Sequence, residues 1–165
     1  MQYQQSEQKT AKDAKRRFAL TVPQIPIWLD QSAYPRKPIY NTGQTVTLQV
    51  PLVIDQFVEA LNRVISENDA LRLRFTQCDD EVFQEVVDDV AVDLDYQDFS
   101  GENIPERAAQ AWIERLFWKP VEPNDFPLFK FAIAKLASDR FLWLQKYHHL
   151  IIDAAGRQRV AAAGG

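Results

Sequence analysis

Hydrophobic positions change period several times along this chain, and each change marks an element. Phe57, Ala60, Leu61, Val64 and Ile65 recur at helical spacing, which predicts an amphipathic helix over Asp55–Asn68 with a polar opposite face. Ala109, Trp112, Ile113, Leu116 and Phe117 repeat the stripe in a second helix, started near Pro105 and stopped by Pro120, and this stripe reads as core. Alternation then takes over: Phe129, Phe131 and Ile133 alternate against Lys130 in Leu128–Ala137. Arg140–His149 is dense in aromatic and aliphatic residues, and the two segments predict a strand pair turned at Ser138-Asp139. Shorter strands are expected at Thr45–Val50, Leu71–Thr76 and Val82–Val87, with a weaker one at Ala91–Tyr96 and a hairpin turn at Asp79-Asp80. Val22–Ser32 reads as a short helix interrupted or entered through Pro23 and Pro26, followed by the loop Tyr34–Pro38. Residues 1–19 read as a polar, flexible tail, leaving 20–165 as the folded unit of a mixed α+β class, a sheet packed against helices.

Composition narrows the setting. A chain of 165 residues holds about one domain's worth of core, and 46% hydrophobic and 25% charged residues with a net charge of -4 fit a globular cytoplasmic domain. Cys78 is the only cysteine, so no disulfide forms within the chain and the thiol is expected to be unremarkable. No apolar run reaches membrane-spanning length, and the polar start lacks a signal-peptide pattern. Lys12, Lys15, Arg16 and Arg17 lie in a Gln-rich tail of an acidic protein with no aromatic platform nearby. They read as solvated charge rather than a nucleic-acid surface.

Chemistry is visible only in Tyr147–Gly156, where both histidines of the chain stand side by side with Asp153 following. At a strand end, neighbouring side chains point to opposite faces, so one of His148 and His149 faces any given pocket. A shared zinc would want three or four converging ligands, and no further His or paired Cys exists to complete the set, so no metal is expected. What remains is a lone imidazole, with an unperturbed pKa of about 6.5, available as general base or hydrogen-bond donor. By itself the segment also suits a pair of core or surface histidines that do no chemistry. Asp153 invites a triad reading, but no G-x-S-x-G nucleophile turn is present.

Other segments shift that balance. Glu67–Phe75 together with His148–Gly156 resembles the condensation-domain family of nonribosomal peptide synthetases, which carries H-H-x-x-x-D-G and an upstream R-H-E-x-L-R-T-x-F. Leu20–Trp28 is similar to the family's opening motif, in which a Gln precedes an aromatic, and Tyr40–Gly43 resembles the segment leading into its first strand. The matches cover about Leu20–Val160 in the family's order. Glu81–Gln84 and Gln145–His149 resemble in particular the first condensation domain of siderophore-type synthetases.

The resemblance implies a lobe like that of chloramphenicol acetyltransferase, one of two between which a tunnel holds the reaction site. This length matches the N-terminal lobe alone, and the end at Val160–Gly165, where a helix begins, reads as a truncation. It implies amide formation: a carrier-bound acyl or aminoacyl thioester is attacked by the amine of a carrier-bound acceptor, with His149 as the catalytic residue. His148, Asp153 and Arg72 are then structural support, with Asp153 paired to Arg72, and Ala154 and Gly156 line the substrate tunnel. Ala154 stands where the family has Gly; its methyl narrows the tunnel, or costs about 1 kcal/mol if the backbone there is left-handed. No cofactor is expected to bind directly, since phosphopantetheine arrives on the carriers. Expected partners are peptidyl or acyl carrier proteins, the missing C-terminal lobe and neighbouring synthetase domains, with no nucleic acid and no membrane. The alternative is a non-catalytic truncated lobe acting as a protein-interaction module. An acetyltransferase of the chloramphenicol type shares the histidine motif, but Leu20–Trp28 and Asn68–Phe75 favour the synthetase family.

Overall fold

The computed structural model describes residues 17–152 and shows two sheets with three helices. The elements are β1 (Arg17–Ala19), α1 (Gln24–Ala33), β2 (Asn41–Leu48), α2 (Ile54–Glu67), β3 (Leu73–Cys78), β4 (Glu81–Val86), β5 (Leu94–Asp98), α3 (Pro105–Phe117), β6 (Phe129–Ala137) and β7 (Arg140–His148). The first sheet runs β1-β4-β3, all antiparallel, and the second runs β2-β7-β6-β5. In the second sheet β5 lies parallel to β6 while the other pairs are antiparallel. A parallel neighbour needs a crossover, and α3 supplies it.

β1, β2 and β3 depart most from the expectations above; β2 opens at Asn41, ahead of the expected Thr45, through its pairing with β7. Arg17–Ala19, expected within the polar tail, pairs along β4, with Phe18 opposite Gln84. Three residues with Phe18 and Ala19 side by side carry no period of their own, so only the partner strand defines β1. β3 starts at Leu73 because Asp69–Arg72 forms a 3₁₀ turn that buries Leu71. The Asp79-Asp80 turn closes the β3-β4 hairpin, with Asp79 at φ 53°.

β6 and β7 are buried on both faces, which is why they read as near-continuous apolar runs. Phe129, Phe131, Ile133, Phe141, Trp143 and Tyr147 meet Phe57, Leu61, Val64 and Ile65 of α2 and Trp28 of α1 on one face. Phe57 stands edge-on to Trp143 with centroids 5.1 Å apart. Ala132, Ala134, Leu136 and Leu144 meet Ala109, Ile113 and Leu116 of α3 on the other, where the small alanines let the helix lie close to the sheet. The β2-β7 ladder runs from Asn41 opposite His148 to Leu48 opposite Phe141, and so reaches the histidine pair. Among the described residues no helix is long and apolar enough to cross a membrane.

Candidate active site

The end of β7 separates the two histidines as strand alternation requires. His148 is buried, whereas His149 is exposed. The Leu150 backbone N–H donates to His148 Nδ1 at 3.1 Å, which fixes that nitrogen as the acceptor and puts the ring proton on Nε2. Burial, helped by the charge of His149, pushes the His148 pKa down to about 4, so the ring is neutral at physiological pH. A buried neutral imidazole with its basic nitrogen already occupied has no part to play as a general base. His149 leaves the strand with its backbone N–H donating to Tyr40 O at 2.9 Å, and Leu150, Ile151 and Ile152 return to the core beyond it. The exposed His149 ring is thus carried on a turn pinned on both sides by packing.

A polar relay fixes that turn to the start of the fold. Gln24 Nε2 donates to Leu150 O at 3.1 Å and to Gln84 Oε1 at 3.0 Å, while Thr21 donates to Gln24 Oε1 from both its backbone N–H (2.8 Å) and its hydroxyl (2.9 Å). Gln84 Nε2 in turn donates to Ala19 O at 2.9 Å. Both ends of the Gln24 amide are therefore occupied, and the first motif, β1, β4 and the post-histidine turn share one network. Sequence reasoning quoted Gln24 and Gln84 in their motifs without assigning them a role.

The opposite face carries a second anchor. Lys146 is buried, and its ammonium donates to Leu116 O at 3.0 Å and Lys119 O at 2.6 Å at the C-terminal end of α3. Asn41 Nδ2 donates to Phe117 O at 2.6 Å and Lys119 O at 2.8 Å. Two side chains at the histidine end of the ladder thus satisfy carbonyls that a helix end leaves open. Burial, with Lys119 and Lys130 nearby, lowers the Lys146 pKa to about 8. Asn41 and Lys146 both lie in segments that resemble the family, Tyr40–Gly43 and Gln145–His149, but their anchoring role is not legible there, because the acceptors are distant backbone carbonyls.

Arg72 is largely buried, donating from Nη2 to Asp69 Oδ1 at 2.6 Å and from Nη1 to Val87 O at 3.0 Å. Its Nε is buried and finds no acceptor among the described residues. Asp153, its expected partner, lies outside the described residues, as do Ala154 and Gly156. Among the described residues no group of three or more His, Cys, Asp or Glu side chains could hold a metal ion.

One antiparallel and one mixed sheet flanked by helices, with a histidine pair at the tip of a buried strand, define a lobe of the chloramphenicol-acetyltransferase-like class. The condensation-domain family model matches residues 14–158, and the chain belongs to that family. A dimodular nonribosomal peptide synthase of Bacillus subtilis (strain 168) is 38% identical over 149 residues, covering 88% of this chain and 6% of that protein. An isonitrile lipopeptide synthase of Streptomyces coeruleorubidus is 32% identical over 151 residues, covering 90% of this chain and 10% of that protein. The crystal structure of the starter condensation domain of rhizomide synthetase superposes with TM-score 0.85 at 35% identity, covering 90% of this chain and 36% of that one. The chain therefore spans 10% or less of these curated relatives and about a third of the solved domain.

Proposed function

We propose that this chain is the N-terminal, histidine-bearing lobe of a nonribosomal peptide synthetase condensation domain, which forms an amide between a carrier-bound acyl or aminoacyl thioester and a carrier-bound amine. The observation that carries this reading is the division of labour at the end of β7: His148 is buried and neutral, and His149 is exposed. As the amine attacks, its nitrogen must lose a proton and the carbonyl oxygen gains charge. The His149 imidazole either accepts that proton or stabilises the oxyanion by hydrogen bonding, and either role is worth roughly 10²- to 10⁴-fold. Arg72, its Nε still open among the described residues, pairs with Asp153 and steadies the loop after the histidines. Ala154 and Gly156 line the tunnel. Phosphopantetheine comes covalently with the carrier proteins, and the reaction runs in the cytoplasm. Similarity to a starter condensation domain supports a donor that is the first acyl group of its assembly line.

The test joins this chain to its natural C-terminal continuation, supplies loaded carriers and compares amide yield with His149→Ala. Loss of roughly 10²-fold or more supports the reading. Unchanged yield would exclude His149, and product from the present chain alone would overturn the requirement for a second lobe.

A second reading, a non-catalytic lobe that packs against a partner, is favoured by the apolar outer side of α1, where Ile25 and Leu29 are exposed.

A further inference from the structure

We propose that Tyr40, its hydroxyl held by Asp30, is the positioning residue that sets the orientation of the His149 imidazole; this deepens the reading of His149 as the imidazole at the reacting centre and rests on it. Tyr40 touches the histidine pair in three ways. Its carbonyl accepts the His149 backbone N–H at 2.9 Å, fixing where the turn leaves β7. Its ring meets the His149 ring edge-on, with centroids 6.5 Å apart and planes at 84°. The same ring lies 6.0 Å from that of buried His148, tilted by 45°, so the tyrosine spans both histidines. The far end of the side chain is also held: Tyr40 Oη donates to Asp30 Oδ2 at 2.9 Å, and that bond raises the phenol pKa above its ordinary value. The order of restraint therefore runs from α1 through Asp30 to the Tyr40 ring and on to His149. An exposed imidazole with no such neighbour samples several rotamers, only some of which aim a nitrogen at a reacting amine.

Three variants test this. Tyr40→Leu removes the aromatic edge, Tyr40→Phe keeps the ring and removes only the bond to Asp30, and Asp30→Ala removes that bond from the other side. Carbon–proton correlation spectra of the present chain read the His149 ring shift and its χ1 couplings without reference to turnover. Tyr40→Leu is expected to move the His149 ring signals to the position of a free histidine, with χ1 couplings averaged over rotamers. Tyr40→Phe and Asp30→Ala should agree with each other and lie between wild type and Tyr40→Leu. In the chain joined to its C-terminal continuation, Tyr40→Leu should lower kcat roughly 10²-fold with KM unchanged. Retention of the wild-type His149 shift and couplings in folded Tyr40→Leu overturns the proposal, as does a change confined to KM. If Tyr40→Leu does not fold, an unchanged His149 spectrum in both milder variants overturns it equally. Failure of the underlying reading has a different signature: His149→Ala keeps its activity while the tyrosine variants still shift the His149 spectrum.

Discussion

His148 shows how a buried, neutral ring can hold the turn that exposes its neighbour. Its neutral ring, accepting from Leu150, closes the turn that presents His149, and charging it would place a cation in the core with Nδ1 facing an N–H donor. The linkage sign follows. The folded pKa, about 4, lies below the unfolded value of 6.5, so below pH 6.5 the unfolded chain binds the extra proton first. This contribution to stability is complete above pH 6.5 and falls by about 3 kcal/mol as pH drops to 4. Urea unfolding of wild type and His148→Gln across that window checks it: the wild type should lose stability on acidification more steeply than the variant, and parallel profiles would refute the assignment. Gly43 makes a residue-scale prediction of another kind. A Cβ there would lie 2.1 Å from the Gln145 carbonyl oxygen, which is backbone and has nowhere to go. Gly43→Ala should therefore push β2 away from β7 and cost about 3 kcal/mol or more, measured as a fall in the urea midpoint at constant slope.

At the scale of elements, the α3 end, β2 and β7 are clamped by one buried cation and one amide. Among the described residues Lys146 has two carbonyl acceptors and no carboxylate, so its charge is held by the negative end of the helix dipole against the cost of burial. Its folded pKa of about 8 lies below the ordinary 10.5, so between those values the unfolded chain binds more protons. Stability from this group rises with pH across that window, by about 3 kcal/mol in all. Lys146→Met removes the titration. The wild type should gain on the variant between pH 8 and 10.5, and a constant difference would show that the ammonium is not desolvated as described. This clamp marks the limit of what was legible beforehand. Helical and alternating periods placed α2 and α3 to within a few residues and found β6 and β7, because those elements bury a continuous apolar stripe. β1 and the first half of β2 were missed. Arg17–Ala19 and Asn41–Gln44 have little apolar pattern and become strands only by pairing with β4 and β7. The histidine pair was legible from its motif and from alternation. Gln24, Tyr40, Asn41 and Lys146, which hold it in place, act through bonds that mostly reach backbone far along the chain, and a periodic pattern does not encode those.

At the scale of the whole molecule, the buried side of α1 carries Trp28, while its outer side exposes Ile25 and Leu29 (63% exposed), with Val22 (82%) just before the helix and Phe18 on β1. In a chain spanning about a third of a solved condensation domain, this side belongs against the remainder of that domain under the reading proposed above. Energetics decide what the present chain does meanwhile. Each of these exposed side chains stands to gain on the order of 1 kcal/mol from burial against a second copy, and a symmetric pair buries the same four from each copy, roughly 8 kcal/mol together. Association costs at least about 4 kcal/mol in lost translational and rotational freedom. The surplus of about 4 kcal/mol corresponds to a dissociation constant of about 1 mM, so self-association shows only from hundreds of micromolar to millimolar concentration. Sedimentation velocity across that range should show a rising average mass, and Leu29→Glu, which puts a charge in the middle of the exposed stripe, should return the chain to monomer. Joining the C-terminal continuation should do the same without any substitution, because the stripe is then covered from within the chain. A wild type that stays monomeric at millimolar concentration would mean that these side chains are ordinary exposed apolar surface, and would remove the main support for the non-catalytic reading as well.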